Sequence, residues 1–225
     1  MFDTIILLTG PAEQAVLAPA LTSCNPAINV VTAATREQLD DLDLATLRSA
    51  RLIAFTTAVI VPRTILSAVG HGAFNFHPGP PEYPGWAPAH FALYEGAAEF
   101  GATFHVMTER VDAGAIIDAE FFPVVPSLNV TALAEMAYVY LGLLFRKWAV
   151  ALATQPAPLQ VRRPLQWGAR KNSQRHYRAL CDIPLDISKD DLARRMSAFG
   201  GNHFGVVPTI NLHGVEFKAV AVPQD

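Results

Sequence analysis

Short apolar runs alternate with helix-like segments through the first half of the chain, and this alternation restricts the fold more than any other feature. Such a pattern is typical of parallel strands joined by crossover helices. The sequence therefore predicts an α/β fold with an open, mostly parallel, Rossmann-like sheet and flanking helices. The predicted strands lie near Thr4–Leu8, Ile28–Val31, Leu52–Phe55 and Ala73–Phe76, and the predicted helices near Glu13–Leu21 and Pro62–Val69.

The second half of the predicted sheet domain ends in a long helix. Strands are expected near Ala102–Met107 and Ala115–Val124, after a helix near Ala87–Gly96. Apolar residues then recur at helical spacing from Thr131, a candidate N-cap, to about Ala153. We expect this helix to cover one face of the sheet, and we place a catalytic domain at residues 1–155.

The remaining residues, 156–225, have a different pattern. A proline-bearing linker extends to Pro164, and a capped helix begins at Ser188 and closes at Gly200-Gly201. Thr209–Leu212 and Val215–Val220 flank a turn, which is typical of a β-hairpin. The sequence predicts a linker followed by a small C-terminal α+β lobe.

Charge and composition limit the classes of partner. The net charge is −3, from 17 basic and 20 acidic residues, so the protein has no excess of positive charge for a nucleic-acid backbone. Two widely separated cysteines favour a reducing cytoplasm. The N-terminus lacks the pattern of a secretory signal, and the most apolar stretch, Met136–Phe145, is too short for a bilayer. We therefore expect a cytoplasmic protein without a membrane partner.

Three polar side chains are expected to meet at one edge of the sheet. Asn75 and His77 are two residues apart on a strand, so they project from the same side, and Pro78 ends that strand. Ligands bind at the carboxyl edge of open α/β sheets. Asp112-Ala113-Gly114 is a predicted turn that can bring a carboxylate back beside His77.

These residue types suit acyl transfer to an amine. The reaction passes through a tetrahedral oxyanion, which needs a hydrogen-bond donor and a group that moves protons. Asn75 can donate to the oxyanion, and His77 can either donate to it or accept the proton of the amine. Asp112 would raise the basicity of His77 or orient a water. An asparagine cap and an ordinary histidine at a strand end would give the same local spacing.

The wider block from Phe74 to Val124 resembles the formyltransferase family in order and spacing. That family includes methionyl-tRNA, glycinamide ribonucleotide and sugar-nucleotide N-formyltransferases. The matching residues are Asn75-Phe76-His77-Pro78, Tyr83-Pro84-Gly85, Gly101-Ala102-Thr103, His105, Met107, Asp112-Ala113-Gly114 and Ile116-Ile117.

The resemblance implies a formyltransferase fold, 10-formyltetrahydrofolate as the donor, and Asn75, His77 and Asp112 as the catalytic residues. It also implies that the folate pteridine lies against two loops. The residues expected there are Ala58, Val59, Ile60 and Ile65 on one side, and Met107, Thr108 and Glu109 on the other. Related sugar enzymes further suggest a homodimer.

The chain departs from the family pattern at two places. Gly79-Pro80-Pro81 stands where most relatives have a serine and two leucines, and the loop that follows His77-Pro78 is one residue shorter. The acceptor loop is therefore expected to be stiffer. Thr9–Glu13 is not a glycine- and serine-rich phosphate loop, which disfavours glycinamide ribonucleotide as the acceptor.

Other residues near the motif have simpler interpretations. His105 lies in a strand alternation, which favours packing over metal ligation, and no metal site is predicted. Tyr83 and Trp86 could stack on an acceptor ring or fill the core of their loop. Asn202-His203-Phe204 is interpreted as a structural turn. A basic cluster after the linker is either a solvated surface or a diphosphate site, and it consists of Arg162, Arg163, Arg170, Lys171 and Arg175.

The leading hypothesis is N-formylation of a small amine, with an amino-sugar nucleotide as the best single guess. The short tail and the acidic balance disfavour tRNA, whose formyltransferases carry a larger C-terminal barrel and a basic surface. The alternatives are a methionyl-tRNA formyltransferase-like activity, formyltetrahydrofolate hydrolysis by the same residues, and, least favoured, a non-catalytic folate-binding module.

Overall fold

A computed structural model describes residues 1–162 and 164–220 and places six strands in one twisted sheet of order β2-β1-β3-β4-β5-β6. The pairs β2–β1, β1–β3 and β3–β4 are parallel, whereas β5 pairs antiparallel with both β4 and β6. The predicted α/β fold with a mostly parallel sheet is confirmed. The strands are β1 (Thr4–Leu8), β2 (Asn29–Ala33), β3 (Ala50–Phe55), β4 (Ala73–His77), β5 (Glu99–Val106) and β6 (Ile116–Pro123).

Eight helices surround the sheet and form the C-terminal part of the described chain. They are α1 (Pro11–Cys24), α2 (Arg36–Asp40), α3 (Leu44–Ser49), α4 (Arg63–Ala68), α5 (Pro88–Glu95), α6 (Val130–Thr154), α7 (Gln174–Cys181) and α8 (Lys189–Phe199). The short helices α2, α3 and α7 were not predicted. Each has a side-chain cap, from Thr35, Asp43 and Ser173 respectively, but none is long enough to show a clear apolar period.

The long helix α6 covers one face of the sheet, as predicted. Phe145 packs edge-on against Phe55 and tilted against Phe76, so helix and strands share one aromatic core. The predicted N-cap at Thr131 is wrong. The N-cap is Asn129, two residues earlier in the chain, and its side chain accepts a hydrogen bond from the Ala132 amide. By length and composition α6 could span a membrane, but its apolar face is the core of this domain.

Arg51 joins the end of α6 to the sheet. It lies on β3, is fully buried, and its guanidinium donates to the carbonyls of the last turn of α6 and of the residues that follow. The acceptors at the end of α6 are Ala151, Leu152, Gln155 and Ala157, at 2.7 to 3.3 Å. These four carbonyls lie at the negative end of the helix dipole, so they compensate the buried charge without a carboxylate. Nε of Arg51 also donates to the His71 carbonyl, before β4, at 3.1 Å. Burial lowers the pKa of Arg51 to about 10, and the group stays protonated at neutral pH.

The C-terminal part ends in a hairpin of β7 (Thr209–Leu212) and β8 (Val215–Lys218). His213 and Gly214 have φ values of 49° and 83°, as a tight two-residue hairpin turn requires. Ser188 caps α8 through the Asp191 amide, as predicted. Helix α8 packs on α5 through a cluster of apolar side chains around Phe91 and Phe199.

Replacing Arg51 by methionine should lower the free energy of unfolding by about 3–5 kcal/mol, because the buried carbonyls at the end of α6 lose their donors. Urea denaturation followed by circular dichroism would measure the loss. As a control, Arg36→Met removes an exposed ion pair with Asp40 on α2 and should change stability by about 0.5 kcal/mol or less. Equal effects of the two substitutions would contradict the structural role of Arg51.

Candidate active site

Two neighbouring strands bring the site side chains together at one end of the sheet. Asn75 and His77 are the last polar residues of β4, and the antiparallel strand β5 places His105 directly opposite Asn75. Asp112 follows β5 in the turn that leads into β6, with only 6% of its surface exposed. The structure therefore places the three predicted residues at the carboxyl end of β4, together with a second histidine.

Asp112 lies between the two histidines. Its Oδ2 is 3.5 Å from Nδ1 of His77, and its Oδ1 is 3.3 Å from Nε2 of His105. The Asn75 amide nitrogen is 3.1 Å from the same Nε2 of His105. His105 thus connects Asn75 to Asp112, and its interpretation as a packing residue was incomplete. The register of β4 against β5, which creates this contact, could not be inferred from spacing alone.

Carbonyl groups determine which ring nitrogens carry protons. A carbonyl only accepts, so Nε2 of His77 donates to the Tyr83 carbonyl at 3.2 Å, and Nδ1 of His105 donates to the Val106 carbonyl at 2.8 Å. Nδ1 of His77 is then the nitrogen that can take up a proton, and Asp112 faces the resulting cation. Nε2 of His105 lies between the Asn75 amide and the Asp112 carboxylate, so it can accept from the amide when unprotonated and donate to the carboxylate when protonated.

The backbone at Asp112 is in the left-handed conformation. Its φ is 46°, in the left-handed region that side chains other than glycine, asparagine and aspartate rarely adopt. The Gly85 amide donates to Oδ2 of Asp112 at 2.7 Å and holds the carboxylate in place. At Gly114 a Cβ would lie 1.9 Å from the Val106 carbonyl, so the end of this turn needs a glycine. The Asp112-Ala113-Gly114 motif is therefore a backbone requirement as well as a source of charge.

Burial and charge act together on the site. Burial lowers the pKa of His77, and the charge of Asp112 only partly offsets this, so neutral His77 is favoured at neutral pH. Burial alone would raise the pKa of Asp112, but His77, His105 and the Gly85 amide shift it below the ordinary carboxyl range. The site therefore combines a neutral histidine with an ionised carboxylate.

The loop after His77 packs closely on the histidine ring. A Cβ at Gly79 would lie 2.7 Å from Nε2 of His77 and 2.7 Å from Pro88, so a larger residue would displace the ring or α5. Thr103 donates to the Gly79 carbonyl at 2.7 Å and fixes the loop to β5. A glycine at this position thus has a steric reason in this chain.

A small cavity of about 70 Å³ opens on one side of the site. Five of the seven residues predicted to contact folate line it, namely Val59, Ile60, Met107, Thr108 and Glu109, together with Asn75, His105 and Asp112. Ala58 lines the neighbouring cavity instead. Ile65 lies in the core below and lines neither cavity.

A larger cavity of about 650 Å³ opens on the other side. Asn75, His77 and Asp112 line it together with Trp86, whose ring packs on Phe204 at a tilt of 43° with a centroid distance of 4.1 Å. Phe204 belongs to the turn interpreted as structural, so that turn also forms part of the cavity wall. The Tyr83 ring packs on Phe100, and this residue reaches the site through its carbonyl alone.

Two buried polar side chains in the wall of the larger cavity have unpartnered atoms. Among the described residues, both ring nitrogens of His90 and Oδ1 of Asn172 have no hydrogen-bond partner, although each residue is at most 5% exposed. Burial lowers the pKa of His90 to about 4, so its ring is neutral at neutral pH. Buried polar atoms are normally paired, so these groups are suited to a polar ligand.

The predicted basic cluster is divided between different contacts. Lys171 lines the larger cavity and donates to the Val111 carbonyl, and Arg170 forms an ion pair with Glu95. Arg162 lies over the Trp148 ring, and Arg163 is outside the described residues. Within residues 1–162 and 164–220, no group of three or more histidine, cysteine, aspartate or glutamate side chains is arranged to hold a metal ion.

Comparison with known proteins relates this site to one family. Residues 28–137 match the family model described as formyl transferase. The methionyl-tRNA formyltransferase of Listeria innocua is 32% identical over 139 residues, which cover 57% of this chain and 44% of that protein. The chain therefore spans less than half the length of that relative.

Solved structures share the fold over almost the whole chain. A sugar N-formyltransferase from Shewanella superposes with a TM-score of 0.77 and 16% identity, covering 99% of this chain and 100% of that one. The N-formyltransferase of Helicobacter canadensis, in complex with folinic acid and dTDP-3-aminofucose, gives a TM-score of 0.67 and 14% identity, covering 95% and 85%. At these identities the likeness establishes the common architecture.

Replacing Asp112 by asparagine should lower the pKa of His77 further, because Asp112 is the negative charge that raises it. Asparagine tolerates the left-handed backbone, so the turn should be retained. Titration of the imidazole nuclei by NMR would measure the change. Asp118→Asn is the matched control, since that buried carboxylate contacts Lys147 and Trp148 rather than a histidine. An unshifted His77 in Asp112→Asn would contradict the coupling.

His90 should make the fold sensitive to acid. Its pKa in the folded protein is about 4, below the ordinary histidine value of about 6.5, so the unfolded chain binds a proton first as the pH falls. Stability is therefore lost between about pH 6.5 and pH 4, by roughly 3 kcal/mol at most.

Replacing His90 by phenylalanine should reduce this loss. Urea midpoints at about pH 7 and about pH 4.5 would measure it, with His176→Phe on the exposed surface of α7 as the control. The assignment to His90 would be wrong if both variants kept the wild-type acid dependence.

Proposed function

We propose that this protein transfers a formyl group from 10-formyltetrahydrofolate to the primary amine of a small acceptor, because residues 28–137 match the formyl transferase family model. An amino-sugar nucleotide is the proposed acceptor. Asn75, His77 and Asp112 are the proposed catalytic residues, and a cytoplasmic location and a homodimer stay predictions from sequence.

One observation carries this proposal: two cavities meet at the polar cluster. The smaller cavity and the larger, aromatic one share Asn75 and Asp112 in their linings. A folate in the first would present its formyl group to an amine entering from the second. Bringing two reactants together in this way supplies a large part of the rate enhancement of a bimolecular reaction.

The proposed chemistry needs no nucleophile from the protein. The amine nitrogen attacks the formyl carbon, and the carbonyl oxygen becomes an oxyanion. The Asn75 amide has two N–H groups, one directed to His105 and the other free to donate to that oxyanion. Nδ1 of His77 accepts the amine proton, and Asp112 stabilises the imidazolium. The oxyanion then re-forms the carbonyl, the bond from the formyl carbon to N10 of the folate breaks, and N10 takes up the proton that His77 accepted.

The wall of the larger cavity supports a polar acceptor with a planar ring. Trp86 provides an aromatic surface, and His90, Asn172 and Lys171 provide polar groups around it. The similar folds of the Shewanella sugar N-formyltransferase and of the Helicobacter enzyme named with a dTDP-amino sugar are consistent with this choice.

A second candidate acceptor is methionyl-tRNA, favoured by the match to the Listeria enzyme over 139 residues. The acidic balance of 20 acidic to 17 basic residues is the observation against it. Hydrolysis of formyltetrahydrofolate would use the same residues with water in place of the amine. The three possibilities differ in which substrate is required for tetrahydrofolate release.

We expect tetrahydrofolate release from 10-formyltetrahydrofolate to depend on an added amino-sugar nucleotide. His77→Ala should reduce turnover by about 10²-fold or more, since it removes the proton acceptor. Release would be followed by absorbance, and the formylated product by mass spectrometry. His176→Ala, on the exposed surface of α7, is the matched control and should retain activity.

Other outcomes would separate the alternatives. Release without any amine would indicate a hydrolase, and release only with methionyl-tRNA would indicate the tRNA activity. Folate binding without release under any condition would reject the enzymatic proposal.

A further inference from the structure

The C-terminal part of the chain contributes a side chain that packs on both histidines of the cluster. The ring planes of Trp167 and His105 are perpendicular, with centroids 4.9 Å apart, and Trp167 meets His77 at 5.9 Å and 75°. We propose that Trp167 is a positioning residue of the active site, which holds His77 and His105 in place and keeps water away from them. This inference rests on the function proposed above.

A hydrogen bond fixes the indole itself. Nε1 of Trp167 donates to the Gly114 carbonyl at 2.7 Å, at the end of the turn that carries Asp112. The ring is therefore attached to the same turn as the carboxylate whose two oxygens face the histidines. A planar, anchored indole allows little freedom to the two imidazoles beneath it.

Trp167 begins a segment, residues 167–172, that lies across the loop supplying the other contacts of the cluster. We call this segment the strap. The Gly168 amide donates to Pro81, the Asn172 amide to Pro84, and the Trp86 amide to Asn172. The loop held in this way provides the Tyr83 carbonyl to His77 and the Gly85 amide to Asp112.

Close contacts show that the strap is seated tightly. A Cβ at Gly168 would lie 2.5 Å from the Glu82 carbonyl, and one at Gly85 would lie 2.2 Å from the Asn172 carbonyl. The strap and the loop therefore approach backbone to backbone. Movement of either would be transmitted to His77 and Asp112.

The strap adds no charge directly against His77. The titratable groups that face His77 are Asp112 from the turn and His105 from β5, and His90 from α5 lines the same cavity. The strap has two cations: Lys171 donates to the Val111 carbonyl beside Asp112, and Arg170 forms an ion pair with Glu95. Trp167 thus acts on His77 through exclusion of water and orientation rather than through charge.

Substitution of Trp167 should change the titration of His77. In Trp167→Ala, water reaches the ring, so the pKa of His77 should rise from its lowered value toward about 6.5. Trp167→Phe keeps a ring but loses the bond to Gly114, so its shift should be smaller. NMR titration of the imidazole nuclei, assigned with His77→Ala and His105→Ala, would measure both shifts without requiring turnover.

Kinetics provide the second readout. The kcat of Trp167→Ala should fall about tenfold with a smaller change in KM, because orientation rather than substrate contact is lost. The acid limb of the pH profile should move to higher pH, in step with the pKa of His77. Trp148→Phe is the matched control, since that indole also loses one hydrogen bond, to Asp118 at 3.0 Å, on the helix side of the sheet.

The two readouts have separate consequences. An unchanged His77 titration in folded Trp167→Ala would overturn the inference, and if that variant does not fold, an unchanged titration and kcat in Trp167→Phe would do so. A shifted titration in a protein that never turns over would reject the proposed function while leaving the positioning role intact. Equal shifts in Trp148→Phe would mean that any loss of an indole bond disturbs His77, which would also overturn the assignment to Trp167.

Discussion

The guanidinium of Arg51 is a buried polar connection between the sheet and its covering helix. A charge without a carboxylate partner would be costly in the core, yet the free carbonyls at the end of α6 supply acceptors in the direction that the helix dipole favours. The helix and the sheet satisfy each other's polar groups there. This attachment fixes α6 against β3, and the aromatic core around Phe145 then supports β4, the strand that carries the site.

Much of this architecture could be predicted from sequence because it depends on local patterns. Apolar runs and their spacing located all six strands of the sheet, and Asn75 and His77 could be paired because strand geometry alone places them on one side. The role of His105 needed the register between β4 and β5, which no local pattern encodes. Trp167 is more distant still, since it reaches His77 across ninety positions of the chain. Thr131 and Asn129 are both good caps, and only the helix geometry distinguishes them.

The site combines residues on paired strands with residues from loops. Asn75, His77 and His105 are held by paired strands, whereas Asp112, the Tyr83 carbonyl and the Gly85 amide come from loops. Backbone hydrogen bonds from the strap give these loops much of the order that strands would otherwise supply. The predicted boundary at residue 155 separates two sequence patterns. Trp167, which lies beyond it, nevertheless packs on His77 and His105. The sheet and the segment beyond 155 build this centre together.

The left-handed backbone of Asp112 also limits how this protein can change over evolutionary time. The position must combine a conformation suited to glycine, asparagine or aspartate with a negative charge between two histidines. Glycine and asparagine meet the first condition and lose the charge, whereas glutamate keeps the charge and strains the turn. No single amino-acid exchange at this site satisfies both conditions. A lineage that abandoned the carboxylate would have to rebuild the turn and its partners before it could acquire another.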